Sequence, residues 1–188
     1  MFGQKLMLFL PLLLAHAVHA SPKVSVETQY YEVSGSNANE IRHSINANRK
    51  TLVSGQTFDA YTVWLVRWQY HWMASGRLCQ MEQVRTSVNI TFMLPKWVDR
   101  EDADSNLKAH WDRYYTALVK HEEGHQQTGI EAATEIQNKL QKLKASSCEK
   151  LQKKADEMGK ELIKKYNLRD IEFDKNTNHG MNDGAVFP

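Results

Sequence analysis

The chain has 188 residues, 24 Lys and Arg against 22 Asp and Glu, a formal charge of +2 and 41% hydrophobic residues. One domain of ordinary size fits that length and can bury a sizeable core. Near-neutral charge gives no footprint for nucleic acid or an anionic membrane surface, and the 139–165 lysines alternate with Glu149, Asp156, Glu157 and Glu161 as on a solvated helix face.

The first twenty residues, MFGQKLMLFLPLLLAHAVHA, carry one early charge at Lys5, an apolar run from Leu6 to Ala15, and small residues Val18 and Ala20 at signal-peptidase spacing. The run is short for a membrane span, which needs about 20 apolar residues. Residues 1–20 therefore read as a signal peptide and residues 21–188 as a single exported domain, periplasmic or secreted, with no membrane attachment after cleavage. In an oxidising compartment the two cysteines, Cys79 and Cys148, are expected to pair, stabilising the fold by about 4 kcal/mol.

Val24 to Val33 mixes β-branched and aromatic residues and predicts a strand. Asn37 and Glu40 then mark the start of a short helix by a capping pattern. Between Tyr61 and Trp72 one alternating face carries Trp64, Val66, Trp68, Tyr70 and Trp72, which predicts a strand whose tryptophans belong to the core. MASGR supplies a turn, and a second strand follows with Val84, Val88, Ile90 and Phe92 on one face, stopped by Pro95. The pair predicts an antiparallel sheet with one apolar face needing cover.

From about Ser105 to Ala145 apolar residues recur at helical spacing, with Asp102, Asp104 and Ser105 at the N-terminal end. A bend or break is expected near Gly124 or Gly129, because each glycine costs about 1 kcal/mol in a helix interior. A further helix is expected from Cys148 to about Tyr166, and the tail FDKNTNHGMNDGAVFP reads as loop.

Within the long helix, VKHEEGHQQ places His121 and His125 one turn apart. Both imidazoles leave the same face, about 6 Å apart at Cβ, so two ring nitrogens can meet one zinc at roughly 2.0–2.1 Å. Glu122, beside the first histidine, is placed to take a proton from water at the metal; this is the HExxH arrangement of two ligands and a general base. Gly124 makes sense inside the motif if something approaches the helix closely.

A catalytic zinc needs a third protein ligand. His179, in a glycine-flanked loop beside Asp174 and Thr177, leads the candidates. Glu149 or Glu157 on the later helix and Glu131, six residues after His125, are the alternatives. Glu131 is expected to point away, since good helix continues beyond Gly129. His110 is too far along the helix axis to share the metal.

The order of these signals resembles a bacterial family of domains of unknown function labelled predicted secreted zinc-dependent proteases. The stretches that carry it are YYEVSG, YTVWLVRWQYHW, LPKW, HEEGH and FDKNTNHG, over nearly the whole chain after the signal peptide. The resemblance implies a zincin-like domain with His121 and His125 as ligands, Glu122 as base and the tail histidine, His179, as third ligand. Phe173 departs from the tyrosine expected at its position. The reading is therefore an α+β, zincin-like fold: an antiparallel sheet packed on a long HExxH-bearing helix, binding one Zn2+ at His121, His125 and His179. The expected activity is hydrolysis of peptide or protein substrates, with a strand bordering the helix holding an extended peptide. The alternatives are a non-catalytic envelope binding protein and a zinc amidase acting on cell-wall peptides.

Overall fold

The computed structural model describes residues 21–51, 55 and 57–188; the expected signal peptide lies outside them. No described helix is long and apolar enough to cross a membrane. The fold is α+β, with a mixed sheet and three α-helices in the order β1 (Lys23–Val33), α1 (Ala38–Asn48), β2 (Tyr61–Ser75), β3 (Leu78–Trp97), α2 (Ser105–Leu140), β4 (Lys144–Ala145) and α3 (Cys148–Thr177).

β3 is the centre of the sheet, in the order β1-β3-β2, with the short β4 pairing its beginning. β2 and β3 form the expected antiparallel hairpin, with Trp64 opposite Ile90, turning at Gly76 in the left-handed conformation (φ 58°). β3 does not stop at Pro95, however: it runs on through the proline to Trp97, paired there with the end of β1. β1 runs parallel to β3, with Val26 opposite Ile90, so the sheet is mixed rather than antiparallel. A period of two reports which face of a strand is buried and says nothing about the direction of its neighbour. The direction of β1 shows in its pairing along β3, a contact between segments far apart in the chain, such as Lys23 with Ser87.

α1 is capped by Asn37, whose side chain accepts from Glu40 N–H, while the Glu40 carboxylate accepts from Ser36 N–H and its hydroxyl. α2 is capped by Asp104, which accepts from the backbone N–H groups of Asn106 and Leu107. Val84, Val88, Ile90 and Phe92 of β3 and Leu107, Trp111, Leu118, Ala132, Ile136 and Leu140 of α2 are all buried in the core. α2 is thus the cover that the hairpin requires. Trp64 and Trp68 are half-buried against that core, whereas Trp72 is 40% exposed near the hairpin end.

Two expectations about the helices need correction. α2 runs unbroken through both glycines. A Cβ at Gly129 would meet Trp64 at 2.8 Å, and one at Gly124 would meet Phe173 at 2.6 Å. Aromatic packing into these gaps offsets the propensity cost that suggested a break. α3 also continues past Tyr166 to Thr177, ending at Asn178 in the left-handed conformation. Leu168 and Ile171 in this extension are exposed; its contacts with α2 come from Phe173 and from polar residues, tertiary contacts of the kind that carry a helix beyond intrinsic propensity. Cys79 and Cys148 form the expected disulfide, tying the beginning of β3 to the beginning of α3.

Candidate metal centre

α2 and the last turns of α3 lie side by side, and each contributes a pair of polar residues one turn apart. His121 and His125 come from α2, Asp170 and Asp174 from α3. Both histidines are buried, as is Glu122 at 3% exposure. One carboxylate oxygen, Asp174 Oδ1, lies 3.1 Å from His121 Nε2 and 3.0 Å from His125 Nε2, and the two nitrogens are 3.3 Å apart. Three ligand atoms thus form a nearly equilateral triangle, the group among the described residues able to hold a metal ion. Bonds of about 2.0–2.1 Å to a tetrahedral zinc put ligand atoms about 3.3–3.4 Å apart. The triangle fits that ion with little adjustment.

The rings are held from several sides. Phe173 stacks on His121 at 4.9 Å and 11° and meets His125 edge-on at 5.2 Å. Gly124 is what admits Phe173: any side chain there would collide with its ring. Gly180, at φ 80°, lets the chain after α3 pass against His121, where an added Cβ would come within 2.9 Å of the ring. Asp170 Oδ1, sealed from solvent and without an aligned hydrogen bond, lies 3.1 Å from His125 Nδ1. The Thr177 hydroxyl is 3.5 Å from His121 Nδ1.

Glu122 accepts a 2.6 Å hydrogen bond at Oε2 from the Thr62 hydroxyl, at the start of β2. Burial pushes its carboxyl above the ordinary range, and the Thr62 hydrogen bond and the two histidines oppose that push only in part. Burial by itself would lower His125, but Asp170 and Asp174 outweigh it and raise the ring to about 10. Burial would likewise raise Asp174, yet its hydrogen bonds to His121 and His125 hold it well below the usual carboxylate range. Three carboxylates therefore converge on two imidazoles, an arrangement that favours an added cation.

The centre opens into a cavity of about 590 Å³ between the helices, β2 and the segment after α3. His179 stands at its rim. Its ring lies 4.5 Å from that of Phe58 and its side chain is 39% exposed. Its Nδ1 is 3.5 Å from Asp174 Oδ1, outside the triangle. Asn178 and His179 both adopt left-handed backbone (φ 51° and 53°), a strained pair that turns the chain back over the cavity. Glu131 pairs with Arg169 away from the centre, and Glu149 and Glu157 are exposed on the first half of α3. Tyr114 and Tyr166 give their hydroxyls to Asp59 and Glu135.

Asp170 is the site residue that the sequence reading did not find, and Asp174 stood there only as a neighbour able to orient His179. Their signal was present as D-x-x-x-D in 170–174, the same spacing as H-x-x-x-H in 121–125, and it becomes legible once α3 is known to reach Thr177. No curated protein and no solved structure shows significant similarity to this chain. Residues 28–180, which include β2, β3, α2 and α3 with every residue of the centre, match the family described as bacterial protein of unknown function (DUF922), and the chain belongs to that family.

Proposed function

We propose that the protein is an exported, zincin-like, zinc-dependent peptidase in which His121, His125 and Asp174 hold the metal and Glu122 is the general base. The observation that carries the reading is the 3.0–3.3 Å triangle of ligand atoms with a buried glutamate on the same helix turn. Two histidines and a carboxylate that line a cavity are a donor set that would suit a hydrolytic rather than a structural zinc. When bound, zinc supplies Lewis-acid chemistry, polarising a carbonyl and acidifying a nearby water.

Glu122 does the proton work. Thr62 ties its Oε2, so the proton of the attacking water is taken at Oε1 and later delivered to the leaving amine. Burial keeps this carboxyl above its ordinary range, closer to the operating pH of a base that must also give its proton back. β2 supports a peptide substrate. Among the described residues it pairs with β3 on one side only, and Tyr61 and Thr62 at its beginning line the cavity. An extended peptide can add along the free edge beside Glu122.

The test is elemental analysis of the purified protein together with hydrolysis assays on casein and on cell-wall muropeptides. One zinc per chain, retained in Glu122→Gln while turnover falls at least a hundred-fold, is expected. No zinc after metal is supplied, or undiminished turnover in Glu122→Gln, overturns the reading. Cleavage of muropeptides alone would make the protein an amidase.

A further inference from the structure

Asp170 precedes Asp174 by one turn of α3 and meets the other nitrogen of His125. Its two oxygens have different partners. Oδ2 accepts a 2.6 Å hydrogen bond from Trp64 Nε1, across from β2. An indole N–H can only donate, so this bond leaves no choice of roles and commits Oδ2 to the tryptophan. Oδ1 is sealed from solvent, lacks an aligned hydrogen bond and lies 3.1 Å from His125 Nδ1. A buried acceptor in that state calls for an explanation.

The donor set supplies one. For His125 Nε2 to offer its lone pair to a metal, the ring proton must sit on Nδ1, and Asp170 Oδ1 is the acceptor waiting there. Trp64 is itself fixed, because Gly129 leaves α2 bare where the tryptophan crosses it: an added Cβ would lie 2.8 Å from Trp64 Cβ and Cγ. Among the described residues His121 has no carboxylate at the corresponding nitrogen. Its Nδ1 meets instead the Thr177 hydroxyl oxygen, a neutral acceptor at 3.5 Å whose own proton goes to the Phe173 carbonyl at 2.8 Å.

We infer that Asp170 is a positioning residue that, braced by the Trp64 indole, fixes the tautomer and orientation of His125 and so lets strand β2 set the metal affinity of the helix-borne centre. The inference rests on the metal-binding reading above and assigns His125 as the better-anchored of the two imidazoles. Loss of such an outer carboxylate typically weakens metal binding 10–100-fold.

The experiment measures Zn2+ affinity by competition with a chromogenic chelator, and the visible spectrum of the Co2+-loaded protein. It compares the wild type with Asp170→Ala, Asp170→Asn and Trp64→Phe. Asp170→Ala should bind Zn2+ about 10–100-fold more weakly. Asp170→Asn, which keeps a carbonyl oxygen, should recover part of that loss. Trp64→Phe keeps an aromatic ring over Gly129 but removes the N–H and part of the indole's volume; it should weaken Zn2+ by a few-fold, while Asp170→Asn, which leaves Trp64 in place, separates the hydrogen bond from the packing. The Co2+ band should shift in all three. Wild-type Zn2+ affinity and an unaltered Co2+ spectrum in both Asp170→Ala and Trp64→Phe would overturn this inference and leave the metal site standing. A wild-type protein that takes up neither ion would remove the site itself, and the inference with it.

Discussion

Two polar clusters face the same cavity and solve the problem of buried charge in opposite ways. In the first, Asp59 receives Arg42 at both oxygens (3.0 and 2.8 Å), Arg49 at 3.0 Å and the Tyr114 hydroxyl at 2.9 Å. The Tyr31 hydroxyl adds a bond to the Asp59 carbonyl, and the Arg42 Nε–H donates to that of Phe187. That cluster carries its own cations and ties α1, α2 and the chain after α3 together. In the second, Glu122, Asp170 and Asp174 gather around His121 and His125, and among the described residues no lysine or arginine pairs with them. Buried charges persist when paired with side chains or a metal. The first cluster has the composition of a structural clamp, and the second has that of a centre completed from outside.

The largest expected effect breaks the clamp. Arg42→Ala should cost about 3 kcal/mol, since it removes both charge-assisted hydrogen bonds of a bidentate pair from a half-buried carboxylate, and the loss in urea unfolding should be the same with and without zinc. Burial by itself would raise Asp59, but Arg42, Tyr114 and Arg49 together hold it below its ordinary value. A lowered folded-state value means that this stabilisation is fully present above the unfolded value of about 3.9 and is lost as pH falls through the folded one. Arg42→Ala lets the folded value rise, so acid unfolding should begin at a higher pH than in the wild type. An unchanged acid profile would show that Arg42 does not control Asp59.

A slightly smaller effect tests whether the second cluster waits for a cation. At a hundred-fold excess over its dissociation constant, zinc should stabilise the wild type by about 2.7 kcal/mol, read as a rise in melting temperature that chelator reverses. In Asp174→Ala the rise should disappear, whereas Arg42→Ala should keep it. Equal stabilisation of wild type and Asp174→Ala would mean that zinc binds elsewhere.

The smallest effect sharpens the comparison at the packing around the histidines. Alanine at Gly124 gains about 1 kcal/mol of helix propensity but drives its Cβ to 2.6 Å from the Phe173 ring. Overpacking of that kind costs about 1–3 kcal/mol, so Gly124→Ala should be destabilising by about 1 kcal/mol. Because Phe173 is stacked on His121, the variant should also weaken zinc binding and leave the acid profile governed by Asp59 unaltered. A gain in stability would show that Phe173 is free to move.

The sequence by itself determined the local elements and half of the centre. Strand alternation in 61–72 and 84–92, the caps at Asn37 and Asp104, and the helical spacing that puts His121, Glu122 and His125 on one turn all follow from periods and capping chemistry that act within a few residues. The disulfide between Cys79 and Cys148 was legible because there are only two cysteines to pair. What the tertiary structure decided lies between segments far apart in the chain. The parallel placing of β1, the continuity of α2 through Gly124 and Gly129, and the extension of α3 to Thr177 each depend on a partner surface. A partner surface can outweigh local preferences of about 1 kcal/mol. The same long-range packing put Asp174, 49 residues from His125, within hydrogen-bond distance of both imidazoles and set His179 at the rim. Helical spacing could bring the two histidines together, but only the docking of α3 on α2 could select the carboxylate that meets them.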